Sequence, residues 1–264
     1  MQGDGLRRAM RSGSVAAACG VLLVSLAACG GPKGDGQRLE HGGPGSRGGS
    51  ASVPGAEPGS RGGSASAPAA GPTRIPGIGD WLYGQIPTDS RQVVAVYGDG
   101  EDSPNSTIVL YAKYGSVWSE AGRWRGHNGR KGWTTDHHED DMRSPVGVFT
   151  LSDAGGVLAD PGTRLPYSQS EAYEVPRSWG EAHRRDFYYV IAVDYNRVPG
   201  TPPNDPTRPE GQTKGGGIWM HLDHGDGTLA CVSLPEEGIT HLLRTLDPAQ
   251  DPVVVMGDRE ALMS

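Results

Sequence analysis

The sequence predicts a mainly β domain with one or two short helices, preceded by a flexible tether. Apolar runs of strand length recur between turn residues from residue 92 to residue 257. Only residues 239–246 carry the apolar spacing of an amphipathic helix. Residues 30–72 consist mostly of Gly, Ser, Pro and Ala, which leaves too little apolar surface to form a core.

The N-terminal segment, residues 1–28, has the layout of a secretory signal peptide. Three arginines precede an apolar run that is too short to predict a membrane-spanning helix. The run ends in Leu26-Ala-Ala-Cys29, which resembles the lipobox of bacterial lipoproteins. The resemblance implies cleavage before Cys29, lipidation of its thiol, and an extracytoplasmic protein anchored to the outer face of the cell membrane. An ordinary signal peptide cut nearby is the alternative.

Two further segments follow the signal peptide. Residues 29–74 predict a flexible tether, in which the nine residues that begin at Pro44 recur at Pro58. Residues 75–264 have a globular composition and are enough for one sizeable core. The formal net charge of −7 argues against a nucleic-acid-binding protein, because phosphate neutralisation requires a basic surface.

The elements of the domain are predicted from apolar runs and turn residues. Strands are expected at residues 92–97, 107–114, 117–121, 146–151, 187–193, 217–222 and 252–257. The second and third of these runs flank a short polar turn and predict a hairpin. A helix is predicted from the stripe of Ile239, Leu242, Leu243 and Leu246. The irregular stretches 165–179 and 199–216 are long enough to form a cleft or a lid.

Cys231 is the one cysteine of the predicted domain. Cys19 falls in the signal peptide, and Cys29 is assigned to the lipid. An unpaired thiol in an extracytoplasmic protein is a candidate nucleophile, although free cysteines also pack as inert small hydrophobes. His221 precedes it by one short loop and is a candidate base, with a satisfied core histidine as the alternative reading.

Several segments resemble the YkuD-type L,D-transpeptidase catalytic domain. They are Gly126-His-Asn-Gly129, Arg143-Ser-Pro-Val-Gly147-Val-Phe149, Asp194-Tyr-Asn196, Gly217-Ile-Trp-Met-His221, Cys231-Val-Ser-Leu234 and Pro252-Val-Val-Val-Met256. The order and spacing are closest to those of the divergent subgroup with a short loop between histidine and cysteine. The chain departs from the commoner members because Leu229 replaces a second histidine, Ala230 replaces a glycine, and Ser233 stands where an arginine is frequent.

The resemblance implies a β-sandwich fold and a reaction on peptidoglycan stem peptides. Cys231 would form an acyl-enzyme, and an imidazolium at His221 would stabilise the thiolate before the histidine acts in proton transfer. The backbone N–H groups of Cys231 and Ala230 would hold the oxyanion. The expected activity is formation of peptidoglycan crosslinks. An L,D-carboxypeptidase, or a catalytically degenerate peptidoglycan-binding lipoprotein, remains the alternative, the latter because of Leu229 and Ala230.

Three further residues are weaker candidates for substrate contacts. They are Thr228, His224 and Arg143. The competing interpretation is a structural role in a turn for Thr228, an exposed loop histidine for His224, and a surface arginine for Arg143. Residues 137–141 (His-His-Glu-Asp-Asp) predict a solvated polar loop because their spacing matches no recognised zinc motif. Neither a metal nor an organic cofactor is therefore expected. The tryptophans at 118, 124 and 133 line a groove or pack in the core.

Overall fold

The computed structural model of the chain describes residues 71–264. The predicted signal peptide (1–28), the lipidation residue Cys29 and nearly all of the predicted tether (29–74) lie outside the described residues. No helix among residues 71–264 is long and apolar enough to span a bilayer.

Twelve strands are present in the described part of the chain. In chain order they are β1 (Gln92–Gly98), β2 (Asn105–Tyr114), β3 (Val117–His127), β4 (Trp133–Thr134), β5 (Ser144–Pro145), β6 (Gly147–Thr150), β7 (Ala154–Gly156), β8 (Tyr167–Gln169), β9 (Val190–Ala192), β10 (Trp219–Leu222), β11 (Val232–Leu234) and β12 (Val253–Asp258).

Helical elements among the same residues are short. The α-helices are α1 (Asp80–Tyr83), α2 (Glu236–Thr245) and α3 (Arg259–Met263). Single 3₁₀ turns occupy Glu171–Tyr173, Arg177–Trp179, Glu181–His183, Gln212–Lys214 and Pro248–Gln250. The prediction of a mainly β domain with few short helices is confirmed.

Ten of the strands form one sheet in the order β6-β12-β1-β2-β3-β11-β10-β9-β7-β8, and β4 pairs separately with β5. β1 pairs in parallel with β12, and β10 pairs in parallel with β11. The β2–β3 hairpin is antiparallel, as its polar turn predicts, and contains an irregularity at Leu110 and Tyr111. β10 and β11 therefore lie side by side in the second half of the sheet.

The sheet buries apolar side chains on both faces. Alternation along β1 sends Val94 and Val96 into one core, where α2 packs, and Val93 and Ala95 into another. The second core is covered by α1, α3 and the segment around Ile75. This double burial explains why the β1 and β12 sequences are continuous apolar runs rather than alternating ones.

Helix α2 forms as its sequence predicts. Ile239, Leu242 and Leu243 are fully buried in the first core, and Leu246 follows at the C-cap, also buried. Two glutamates occupy the first turn, where carboxylates interact favourably with the helix dipole. α2 connects β11 to β12 and covers the sheet behind the β10–β11 pair.

Several sequence-based boundaries differ from the structure. The short strands β4, β5, β7 and β8 are not predicted, and β3 continues to residue 127 instead of ending at residue 121. Two further differences lie near the site. Residues 187–189 were expected to start a strand, but they form a turn, and β9 begins only at Val190. β11 was not predicted because its three residues, Val232–Leu234, are too few to show a period. Both differences concern segments that border the site described below.

Replacement of Leu242 by alanine is expected to lower the free energy of unfolding by about 2–5 kcal/mol, because it leaves a cavity between α2 and the sheet. Urea unfolding followed by circular dichroism measures the change. Glu237→Ala, on the exposed side of the same helix, is the control and should cost no more than about 1 kcal/mol. A similar small loss for both variants would contradict the packing described for α2.

Candidate active site

The pairing of β10 with β11 brings His221 and Cys231 to the wall of one cavity. His221 is in register with Ser233, and Cys231 lies two residues before Ser233. Ser233 therefore shares a face with His221, and Cys231 lies just before β11 with its sulfur against the backbone of Trp219 and Gly217. His221 and Cys231 both line one cavity. The structure thus brings together the two residues predicted to be catalytic.

The imidazole of His221 is held by one backbone hydrogen bond. Its Nδ1 lies 2.8 Å from the carbonyl oxygen of Leu222. A carbonyl can only accept, so Nδ1 carries the proton and Nε2 is left as the basic nitrogen of the neutral ring. Phe187 packs edge-on against the ring at 5.2 Å, which restricts its rotation. A histidine in this tautomer can accept a proton through Nε2.

The sulfur of Cys231 makes two backbone contacts across the strand pair. It lies 3.4 Å from the amide nitrogen of Trp219 and 3.7 Å from the carbonyl oxygen of Gly217. The residue is partly exposed, and it is the one cysteine among residues 71–264. A partly exposed thiol on a cavity wall is accessible to a ligand.

Two hydroxyl groups hold the loop that carries the thiol. Ser144 Oγ donates to the carbonyl of Ala230 at 2.6 Å and accepts from the amide of Gly129 at 2.8 Å. Thr228 Oγ1 donates to the carbonyl of Cys231 at 2.7 Å. Because these bonds are buried, they fix the backbone on both sides of the sulfur. Thr228 lines the cavity as well, but its hydroxyl group is already hydrogen-bonded to the backbone of the loop.

Ala230 adopts an ordinary backbone conformation. Among the described residues, the non-glycine residues with positive φ are Asp140, Met142, Asn196 and Asp251, so position 230 does not require glycine. Replacement of the family's glycine by Ala230 therefore causes no backbone strain at this position. Leu229, where a histidine would be expected from the resemblance, is 55% exposed at the edge of the cavity.

The cavity has a volume of about 690 Å³, which is within the usual range for small-molecule sites. Trp179, Phe187 and Trp219 provide aromatic surface around the two predicted catalytic residues. Charged residues of both signs line it as well, namely Arg130 and Arg208 against Glu139, Asp140 and Asp186. The aromatic surface suits an apolar part of a ligand, and the two arginines can each pair with a carboxylate.

Burial keeps the histidine and the thiol neutral. Burial lowers the pKa of His221 to about 4, against the opposing effects of the Leu222 hydrogen bond and the Asp186 charge. Burial also raises the pKa of the Cys231 thiol to about 11, and the negative charge of Asp186 acts in the same direction. Both shifts oppose the expected imidazolium–thiolate pair and favour a thiol beside a neutral imidazole in the resting protein.

His224 is not an exposed loop histidine. Its side chain is 6% exposed, and its ring stacks on that of His221 at a centroid distance of 6.3 Å. Its Nδ1 lies 3.2 Å from Asp186 Oδ2, to which His183 Nδ1 donates at 2.9 Å. Ligand atoms of His183, Asp186 and His224 all lie within 4.8 Å of one another, so this cluster has the composition to hold a metal ion.

Arg143, a weaker candidate for a substrate contact, lies away from the cavity. Its guanidinium is bonded to Asp102 at 2.7 Å and to the Trp133 carbonyl at 3.1 Å, and it is not among the residues that line the cavity. Trp118 and Trp133 are buried and pack in the fold rather than in a groove. In the stretch 137–141, the buried His137 does line the cavity, whereas the exposed His138 does not.

Sequence reasoning missed Ser144, Arg130, Arg208, His183 and Asp186. Ser144 follows Arg143 in one of the segments that resemble the YkuD-type domain. Its hydroxyl group was the one sign in the sequence that this position could form a hydrogen bond. His183 and Asp186 lie between the irregular stretch that ends at residue 179 and the strand predicted from residue 187, far in sequence from His224. No spacing rule joins residues that only the tertiary fold brings together.

Comparison with known proteins gives weak similarity. No family model matches the chain, and no curated protein is similar to it. Among solved structures, Bd1075 from Bdellovibrio bacteriovorus shares 18% identity at a TM-score of 0.36, covering 63% of this chain and 48% of that one. Pgp2 from Campylobacter jejuni, a helical cell shape determining protein, shares 15% identity at a TM-score of 0.36, with 64% and 48% covered.

The chain spans about half the length of both solved structures. Similarity at this level carries no argument about chemistry. The proposals that follow rest on the residues of the site.

Alkylation of Cys231 by iodoacetamide is expected to accelerate about tenfold per pH unit between pH 7 and pH 10, because the thiolate fraction rises in this way below a pKa of about 11. Mass spectrometry of the Cys231 peptide from native protein measures the rate. A rate that is already constant at neutral pH would contradict a neutral thiol and would indicate an ion pair with His221.

Replacement of Ser144 by alanine is expected to destabilise the domain by about 1–3 kcal/mol, because the Gly129 amide and the Ala230 carbonyl lose a buried partner. Thermal unfolding measures the effect. Ser119→Ala, on the exposed surface of β3, is the matched control and should change stability by no more than about 0.5 kcal/mol. Equal stability of the two variants would contradict the conclusion that the Ser144 hydroxyl stabilises the loop before Cys231.

Proposed function

We propose that the chain is a cysteine-dependent acyltransferase of the L,D-transpeptidase type that acts on peptidoglycan stem peptides. One observation carries the proposal: His221 on β10 and Cys231 just before β11 line one cavity, with the histidine proton fixed on Nδ1. The sequence segments that resemble the YkuD-type domain supply the substrate class. The same residues provide a nucleophile and a base in one site.

Acyl transfer would begin with the thiol protonated. Cys231 Sγ attacks the carbonyl carbon of the amide that precedes the terminal D-alanine, and His221 Nε2 takes the thiol proton as the C–S bond forms. The C–N bond then breaks, and His221 returns the proton to the leaving amine. A second stem peptide supplies the acceptor amine, which attacks the thioester and gives its proton to the same nitrogen. The C–S bond then breaks, and His221 returns the proton to the Cys231 thiolate. Each half-reaction leaves the histidine neutral.

The negative charge that develops on the carbonyl oxygen requires donors near the sulfur. The backbone N–H groups of Cys231 and Ala230 are our candidates, because the loop on which they lie is fixed by Ser144 and Thr228. The ordinary backbone of Ala230 is compatible with this role. A rigid pair of donors lowers the barrier without reorganisation during the reaction.

Two arginines of the cavity offer partners for a carboxylate of the proposed substrate. Stem peptides end in a carboxylate, and Arg130 and Arg208 line the wall of the same cavity. The aromatic side chains of Trp179 and Trp219 would cover the apolar parts of the peptide. We further propose that lipidation at Cys29 anchors the domain at the outer face of the cell membrane, where peptidoglycan is within reach.

A carboxypeptidase would use the same acyl-enzyme with water as the acceptor. The two activities differ in the product, which is a crosslinked dimer in one case and a shortened stem peptide in the other. A binding protein without catalysis would require that Cys231 does not acylate. Mass spectrometry of products from a purified stem peptide distinguishes these outcomes.

A carbapenem is expected to form a covalent adduct with Cys231, because its strained amide is attacked by the same nucleophile. Intact-protein mass spectrometry of the full chain measures the adduct and its rate. The adduct should be absent in Cys231→Ala, and acylation should slow by about 10²–10⁴-fold in His221→Ala.

The matched control is His138→Ala, which removes an exposed histidine that does not line the cavity and should acylate at the wild-type rate. Absence of an adduct in the wild-type chain would overturn the enzymatic proposal in favour of a binding protein. Equal rates in His221→Ala and the wild type would remove the histidine from the mechanism.

A further inference from the structure

A cluster of two histidines and one aspartate lies in the same cavity as the thiol. His183 and His224 both direct Nδ1 at one oxygen of Asp186, at 2.9 Å and 3.2 Å. The two imidazole rings lie 4.3 Å apart between centroids. All three residues line the cavity. The polar atoms of three potential ligands therefore converge on one place.

The separations match those of ligands around a single small cation. Zinc binds histidine nitrogen and carboxylate oxygen at about 2.0–2.2 Å, which places neighbouring ligands of a tetrahedral site about 3.3 Å apart. The two contacts to Asp186, at 2.9 Å and 3.2 Å, are close to that edge length. Small side-chain rotations would be enough to admit an ion between them.

Independent support comes from the hydrogen bonding of His224. Its side chain is 94% buried, and neither ring nitrogen makes a hydrogen bond of regular geometry, although Nδ1 lies 3.2 Å from Asp186 Oδ2. A buried polar group without a partner costs about 1–3 kcal/mol. Asp186, whose side chain is 4% exposed, is also buried. A metal ion would satisfy the histidine nitrogen and neutralise the buried carboxylate together.

We propose that His183, Asp186 and His224 form a binding site for a divalent transition-metal ion of the zinc class. Two imidazoles and one carboxylate suit zinc, and three protein ligands leave one coordination position open, as in zinc sites that accept water or a substrate oxygen. His221 is not among the residues whose ligand atoms converge in this cluster. The site is independent of the acyltransfer proposal.

The backbone fixes the ligands in place. The amide of Leu222 donates to the backbone carbonyl of Asp186 at 3.0 Å, which ties the Asp186 turn to the end of β10. His183 comes from the 3₁₀ turn Glu181–His183, and His224 from the loop after β10. The ion would therefore link two loops that border the cavity. Metal binding should raise the thermal stability of the whole chain.

The test uses the full chain, stripped of metal with EDTA and titrated with Co²⁺ as a spectroscopic probe. We expect one ion per chain with the intense visible absorption of a four-coordinate site, and displacement of Co²⁺ by Zn²⁺. Binding should weaken at least tenfold in Asp186→Asn and in His224→Gln. Zn²⁺ should raise the melting temperature of the wild type but not of these variants.

Two controls separate the cluster from other ligands. His138→Gln removes an exposed histidine and should bind as the wild type does, and Cys231→Ser should also keep the site. If His224→Gln fails to fold by circular dichroism, His183→Gln replaces it, since that side chain is 26% exposed. Absence of binding, unchanged binding in the cluster variants, or loss of binding in Cys231→Ser would overturn the proposal and leave a hydrogen-bonded buried cluster.

Discussion

The parallel pairing of β10 with β11 is the constraint on which the candidate site depends. It brings a histidine on one strand and a thiol just before the next to the wall of one cavity. A three-residue strand is too short to hold that register by its own ladder. Ser144 and Thr228 supply the additional fixation through hydrogen bonds to the carbonyls of Ala230 and Cys231. The position of the Cys231 sulfur thus depends both on the register of β10 with β11 and on the hydrogen bonds that Ser144 and Thr228 make to the loop.

Burial then decides the charge state of the pair. Burial of the His221 ring and partial burial of the Cys231 thiol penalise their charged forms, and the nearby carboxylates of Asp186 and Asp223 do not compensate for the histidine. A nucleophile that is protonated at rest requires a base at the moment of attack, and the fixed tautomer of His221 provides one. The same low polarity makes the unpartnered ring of His224 costly, which gives the neighbouring cluster its affinity for a cation.

Much of the scaffold is predictable from the sequence because its signals are local. The continuous apolar run of β1 predicts a buried strand, and the apolar stripe of α2 predicts a helix with one buried face. The turn at Phe187 was mistaken for a strand, since aromatic residues favour strands whereas this one packs against His221 and Trp219. The pair of Cys231 and His221 was found by its spacing. The bond from Ser144 and the cluster at Asp186 depend on tertiary contacts, for which the sequence carries no local signal.

The central claim is that His221 is neutral, with its proton on Nδ1, beside a protonated thiol. Long-range ¹H–¹⁵N correlation spectroscopy of the histidine rings measures this directly, with His221→Gln to assign the signal. We predict a single neutral tautomer, protonated on Nδ1, throughout the range from pH 6 to pH 8. An imidazolium in this range, or a proton on Nε2, would contradict the account.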